Sequence, residues 1–287
     1  MVTIRTGKMK DCSDLLEVYQ GTRWFYKQKD SGYTTVEQVK DEHRGVTFEN
    51  WGWLVAEQDG HAVGEIVVRL EKNPIVSRVG IIRNLDIDVR HQKKTIGTQL
   101  THAAEDVLKK KKVVRVIATT PPAAYNYWMK VKYFARGSIV NLKTPLGKIP
   151  EKRNSKIKTE KIDSASKLPK SLKFSHIAYP GALAELAGDV IDGRLTGRLF
   201  EYHAADKLIG VGVIAKKNSK SGVFVADVTK RGLEFADAVI SRTARAASIW
   251  KLKSIETTIS KDHLGIYSSV AKWSSELSTD IPVTKLL

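Results

Sequence analysis

The run Val89-Arg90-His91-Gln92-Lys93-Lys94-Thr95-Ile96-Gly97-Thr98 combines the features of an anion site. It follows an alternating apolar stretch and precedes one of helical periodicity, so the unpaired N–H groups and positive end of a helix face whatever binds there. Lys93 and Lys94 add charge, and Gly97 lets a phosphate approach the backbone. The composition fits a phosphate-bearing ligand and equally an ordinary solvated strand–helix turn. Just upstream, Asp86 and Asp88 alternate with Leu85, Ile87 and Val89, which describes either a solvated strand face or a place for a base. Downstream, Tyr125, Tyr127 and Trp128 fall at helical spacing, where a phenol can give up a proton or simply pack in a core. The histidines form no His-x-x-x-His or His-Glu pair and Cys12 is the single cysteine. No metal site is therefore expected.

Positioning these residues takes a strand, a turn and a helix, and the surrounding pattern supplies them. Residues 78–89 read as a strand, and Ile96, Leu100, Ala104 and Leu108 mark one face of a helix over 97–111 that ends on lysines suited to its dipole. Before them lie a short strand at 2–5, a helix from Asp11, and a second helix at 35–43 with Thr34 and Glu37 at capping-box spacing. Asp59-Gly60 between apolar runs predicts a hairpin. After them come a buried-type strand at 113–119, a helix at 123–130 behind Pro121-Pro122, and a strand at 133–142. Residues 144–173 turn to Lys, Ser, Pro and Glu, the composition of a linker. From 182 onward the order helix, hairpin, strand, helix, strand, helix returns. The turn at 205–210 resembles that at 58–64, so an internal repeat is expected.

At 287 residues the chain is long enough for two domains. We expect one at 1–146, a basic linker or arm at 147–172 and a degenerate copy at 173–287. The net charge of +17 divides as about +8, +6 and +3 over residues 1–146, 147–173 and 174–287. An anionic ligand thus fits the first two segments better than the third. The basic segment leaves nucleic acid as a less favoured partner, since no stacking aromatics are interspersed. No leader-like or membrane-spanning apolar run is evident, and a cytoplasmic protein is expected.

Gln92-Lys93-Lys94-Thr95-Ile96-Gly97 resembles the Gln/Arg-x-x-Gly-x-Gly/Ala pattern of the GNAT superfamily of acyl-CoA N-acyltransferases, with Thr95 at the first glycine. The stretch from Ala124 to Phe134 is similar to the family's Ala-x-x-x-Tyr-x-Lys-x-Gly-Phe. The resemblance implies an α/β (α+β) fold of two acyl-CoA N-acyltransferase-like domains, each a mixed, mainly antiparallel sheet flanked by helices and split at the end of the motif strand. It further implies acetyl-CoA as cofactor. Main-chain groups of Ile87 and Val89 would meet the pantetheine, and the amides of Gln92, Lys93, Lys94, Thr95, Ile96, Gly97 and Thr98 the pyrophosphate. The activity implied is N-acetyl transfer to an amine-bearing acceptor, small molecule or protein. The family's usual tyrosine falls on Trp128, which makes neighbouring Tyr127 the proton donor. The usual glutamate position holds Ile81, Ile82 or Arg83, which leaves Asp86 as base, with Asp88 and Glu65 as substitutes. A non-catalytic ligand-sensing or interaction protein on the same fold is the alternative.

Overall fold

The computed structural model describes residues 1–25, 32–73, 77–152, 154–162 and 176–287. The chain forms two compact units. The first comprises Met1–Leu70, Arg78–Ala135 and Val283–Leu287, and the second Glu71–Ser77 and Arg136–Pro282.

In chain order the first unit contains β1 (Val2–Thr6), α1 (Cys12–Phe25), α2 (Val36–Glu42), β2 (Trp53–Gln58), β3 (His61–Asn73), β4 (Ser77–Ile87), α3 (Ile96–Lys110), β5 (Arg115–Thr120), α4 (Tyr125–Lys130) and β6 (Phe134–Ala135). The β2–β3 hairpin turns where Asp59 and Gly60 both adopt positive φ, the conformation that suits the twist of a two-residue loop. Helix α2 is capped one residue later than expected. Thr35 Oγ1 accepts from the Gln38 N–H (3.3 Å), and Gln38 Oε1 accepts from the N–H groups of Thr34 (2.8 Å) and Thr35 (3.1 Å). Apolar residues of α1, α2, β2 and β3, among them Leu15, Val18, Val39, Trp53, Val55 and Val67, form one core. Along α3, Ile96, Leu100, Ala104 and Leu108 are buried at the spacing of one helical face. Burial of each large aliphatic side chain there contributes roughly 1.5–3 kcal/mol.

The second unit contains β7 (Ile139–Pro145), β8 (Ile157–Ile162), α5 (Ala182–Ile191), β9 (Gly197–Ala204), β10 (Lys207–Lys216), β11 (Ser221–Val228), α6 (Ala236–Arg245), β12 (Ser254–Ser260), α7 (Leu264–Ser268) and β13 (Ser274–Leu277), followed by β14 (Ile281–Leu286). Two seven-stranded sheets result, ordered β1-β2-β3-β4-β5-β14-β6 and β13-β7-β12-β11-β10-β9-β8. Each is mixed: β4–β5 and β11–β12 are parallel pairs in a mainly antiparallel ladder.

The division falls elsewhere than at the expected 146/147. Strand β7, expected to close the first domain, pairs antiparallel with β12 and β13 and belongs to the second sheet. The last strand, β14, returns to the first sheet, where Val283 pairs with Ala135, and Thr284 Oγ1 donates to the Val116 carbonyl (2.9 Å). The expected strand at 133–142 is accordingly two strands, β6 and β7. The expected linker at 147–172 is not a plain connector, because Ile157–Ile162 pairs residue for residue with β9 as an edge strand. Its remainder from 163 to 172 lies outside the described residues.

Candidate active site

Strands β4 and β5 run parallel and in register from Val79↔Arg115 to Ile82↔Ala118, and there the pairing stops. Strand β4 nonetheless continues to Ile87 and β5 to Thr120. The sheet is therefore split along residues 83–87, at the end that leads into the Val89–Thr98 turn.

That turn ends in a helix start without a side-chain cap. Thr95, the N-cap of α3, caps nothing with its hydroxyl, which instead donates to the Lys94 carbonyl (2.6 Å). The first N–H groups of α3, on Ile96, Gly97 and Thr98, have no intrahelical acceptor by geometry. Lys93 and Thr95 hold φ of 61° and 66°, a left-handed conformation that is a genuine outlier for a β-branched residue. The turn thus keeps the shape that glycine would give it at Thr95. It is braced by Gln92, whose Nε2 donates to the Ile87 carbonyl (3.1 Å), and by Asp88, which accepts from the Arg90 N–H (2.8 Å) and guanidinium. The Arg90 guanidinium pulls the Asp88 carboxyl below its ordinary range. Asp88 is thereby a brace of the turn and unsuited to act as base. Of the two residues expected to meet pantetheine, Ile87 has its carbonyl engaged by Gln92 and Thr22, and Val89 is exposed in the turn.

Asp86 stands apart. Among the described residues no hydrogen bond holds its half-buried carboxyl, and burial together with the nearby charge of Glu65 pushes it up to about 7. Glu65, on β3, is fully buried and accepts from Tyr19 Oη, from Trp53 Nε1 (2.8 Å) and from His43 Nε2 (3.0 Å). Burial opposes charge on His43, but Glu65 and the Val39 carbonyl outweigh it and raise its proton affinity. Sequence reasoning missed Tyr19, His43 and Trp53, which three different elements supply. A glutamate within the apolar run 62–68 was the one local signal.

Tyr127 packs on α3, close enough that a Cβ placed on Gly97 would lie 3.3 Å from its ring. Its hydroxyl lies 2.5 Å from Thr101 Oγ1, and burial pushes the phenol up to about 12. Lys132 adopts φ of 67°, as the glycine of the expected Tyr-x-Lys-x-Gly-Phe pattern would. That register puts Trp128 in the tyrosine position, where it is buried between the rings of Tyr127 and Tyr133.

The second unit repeats this construction and closes it. The Thr229 N–H donates to the Ile209 carbonyl as that of Asp88 does to Val63, and Gly210 lies against the Asp227 carbonyl as Gly64 does against Asp86. Asp227 therefore corresponds to Asp86, and Val211 to Glu65. Burial raises Asp227 too, but its Oδ1 accepts from the N–H groups of His176 (2.8 Å), Ile177 (3.0 Å) and Val228 (2.9 Å). At the counterpart turn Thr229 Oγ1 accepts from the Gly232 N–H (3.1 Å), so the donor that an anion would need is already taken. A Cβ on Gly232 would meet the Ile209 carbonyl at 1.8 Å, so this glycine serves packing. The hollow beside Asp227, lined by Leu183, Leu208 and Gly210, is too small for a ligand.

Glu160, Glu201 and His203 bring ligand-type atoms within 4.8 Å of one another across β8 and β9, a grouping that sequence spacing hides. Lys158 already pairs with Glu160 at 2.7 Å, and His203 Nε2 lies 3.1 Å from Glu201.

Residues 18–131 match the model of the acetyltransferase (GNAT) family. The chain is similar over its whole length to a GCN5-related N-acetyltransferase from Kribbella flavida, at 11% identity, a TM-score of 0.65 and 71% of that chain. It is similar in the same way to a tandem GNAT protein from the clavulanic acid biosynthesis pathway, at 10% identity, a TM-score of 0.54 and 98% of that chain. An acetyltransferase from Pyrococcus horikoshii, described as putative, aligns over all of this chain and 89% of its own at 17% identity and a TM-score of 0.56. No curated protein sequence matches the chain. The fold is that of two GNAT-like α/β domains in tandem. No helix among the described residues is long and apolar enough to cross a membrane.

Proposed function

We propose that the first unit transfers an acetyl group from acetyl-CoA to an amine-bearing acceptor, a small molecule or a protein, in the cytoplasm. The observation that carries this reading is Asp86, a carboxyl left without a hydrogen-bond partner beside the split strand and poised near neutrality. The residues present fit the cofactor. An uncapped helix start, the left-handed Lys93 and Thr95, and the cation of Lys94 suit a pyrophosphate. The bound thioester supplies an acyl carbon open to attack by a neutral amine.

An amine arrives as R–NH3⁺, and ionised Asp86 takes one proton. The nitrogen lone pair would then form the C–N bond as the C–S bond breaks with its electron pair going to sulfur, and the second nitrogen proton would pass to solvent. Tyr127 is the proposed donor to that sulfur and regains a proton from solvent. Burial of its phenol makes it a weak acid, so it serves a strongly basic thiolate only. The net products are the amide, the free thiol and one proton. A ligand-sensing protein would use the same turn without needing Asp86, and it is favoured by Trp128 in the tyrosine position. Thiol release from acetyl-CoA across a panel of primary amines separates the two. Wild-type turnover that Asp86→Asn abolishes supports transfer; binding of acetyl-CoA with no turnover on any amine supports sensing.

A further inference from the structure

Strand packing alone calls for no carboxylate at position 65. Ala62, Val63, Ile66, Val67 and Val68 around it are buried and apolar, and the corresponding residue of the second unit is the buried Val211. A carboxylate in such a place is costly unless donors surround it. Here Tyr19 of α1, Trp53 of β2 and His43, which follows α2, converge on it. The indole N–H can only donate, and His43 Nδ1 lies 2.7 Å from the Val39 carbonyl, which can only accept. With Nδ1 so engaged, His43 turns Nε2 to Glu65 at 3.0 Å.

We propose that Glu65 is a positioning residue which, clamped by Tyr19, His43 and Trp53, acts through Asp86 on the neighbouring strand and fits that carboxyl for an ammonium acceptor. The proposal rests on the acyl-transfer reading for what the base is used for, but not for the clamp itself. The groups that face Asp86 are Glu65 from β3 and Tyr19 from α1, with His43 behind Glu65. On β4 itself Arg83 is paired with Glu42 (2.6 Å), and the Asp88 that follows is paired with Arg90 (2.6 Å), so neither alters the balance at Asp86. The second unit makes the contrast. With Val211 in place of the glutamate, its aspartate is bound to backbone N–H groups.

The test is a carboxyl titration of the full chain, followed by carbon NMR from pH 4 to 9 without ligand. Its result is thus independent of whether the protein transfers acyl groups. Asp86, assigned by the signal lost in Asp86→Asn, is expected to titrate near neutrality. In Glu65→Gln the Asp86 midpoint should fall by about one unit or more. An unmoved midpoint in a variant that still melts in one transition overturns the proposal. If that variant does not fold, the wild-type titration decides, since an Asp86 midpoint at the ordinary carboxyl value overturns it as well.

Discussion

A carboxyl that keeps its proton to about pH 7 is one the folded chain holds more easily neutral than charged, so Asp86 opposes folding at any pH where it is ionised. Its folded value lies above the ordinary 3.8. Between those limits the folded chain binds more protons than the unfolded one, and stability contributed by the neutral group is lost as pH rises toward 7. Asp86→Asn should therefore match wild type in denaturant near pH 3, below the ordinary carboxyl value, and exceed it by roughly 1–3 kcal/mol at pH 8, after allowance for partial exposure. The same change should lower turnover by about 10²–10⁴-fold. In wild type kcat/KM should rise with pH through about 7, as the base loses its proton. Tyr127→Phe removes the hydroxyl near Thr101 and leaves the ring against Gly97. Turnover should drop by up to about 10²-fold with acetyl-CoA affinity unchanged, measured at saturating acceptor.

At the level of elements, the turn before α3 keeps a shape that its own residues resist. A β-branched side chain in the left-handed region costs about 1–2 kcal/mol, partly offset by the greater chain entropy of glycine. Thr95→Gly should accordingly stabilise the protein by about 0.5–1 kcal/mol in a thermal melt and leave acetyl-CoA affinity equal or tighter. Strand β14 is held by Lys285, whose Nζ lies 2.8 Å from both oxygens of the buried Glu105. Lys285→Ala strands that carboxylate and should cost about 3 kcal/mol, read as a shift of the denaturant midpoint. Elements whose signal is local were legible in the sequence: the Asp59-Gly60 hairpin, the apolar face of α3 and the Gln92–Thr98 turn. Strands β8 and β14 were not. Lys-Thr-Glu-Lys at 158–161 reads as solvated, and β14 finds partners, Ala135 and Val116, that lie about 150 residues upstream. The same distance rule governed the site. Asp86 could be picked out by its strand, whereas the Tyr19, His43 and Trp53 clamp exists only once three elements have packed.

For the whole molecule, two copies of one architecture differ in whether their polar groups are left available. The first presents a free Asp86 and a helix start without a side-chain cap; the second ties Asp227 to its own backbone and caps its turn with Thr229. The charge excess of the N-terminal half favours an anionic ligand there as well. The most direct measurement is titration calorimetry of the full chain with acetyl-CoA. The account predicts saturation at one equivalent per chain, lost when Lys93 and Lys94 are both changed to Glu. No heat of binding, or two equivalents per chain, would contradict it.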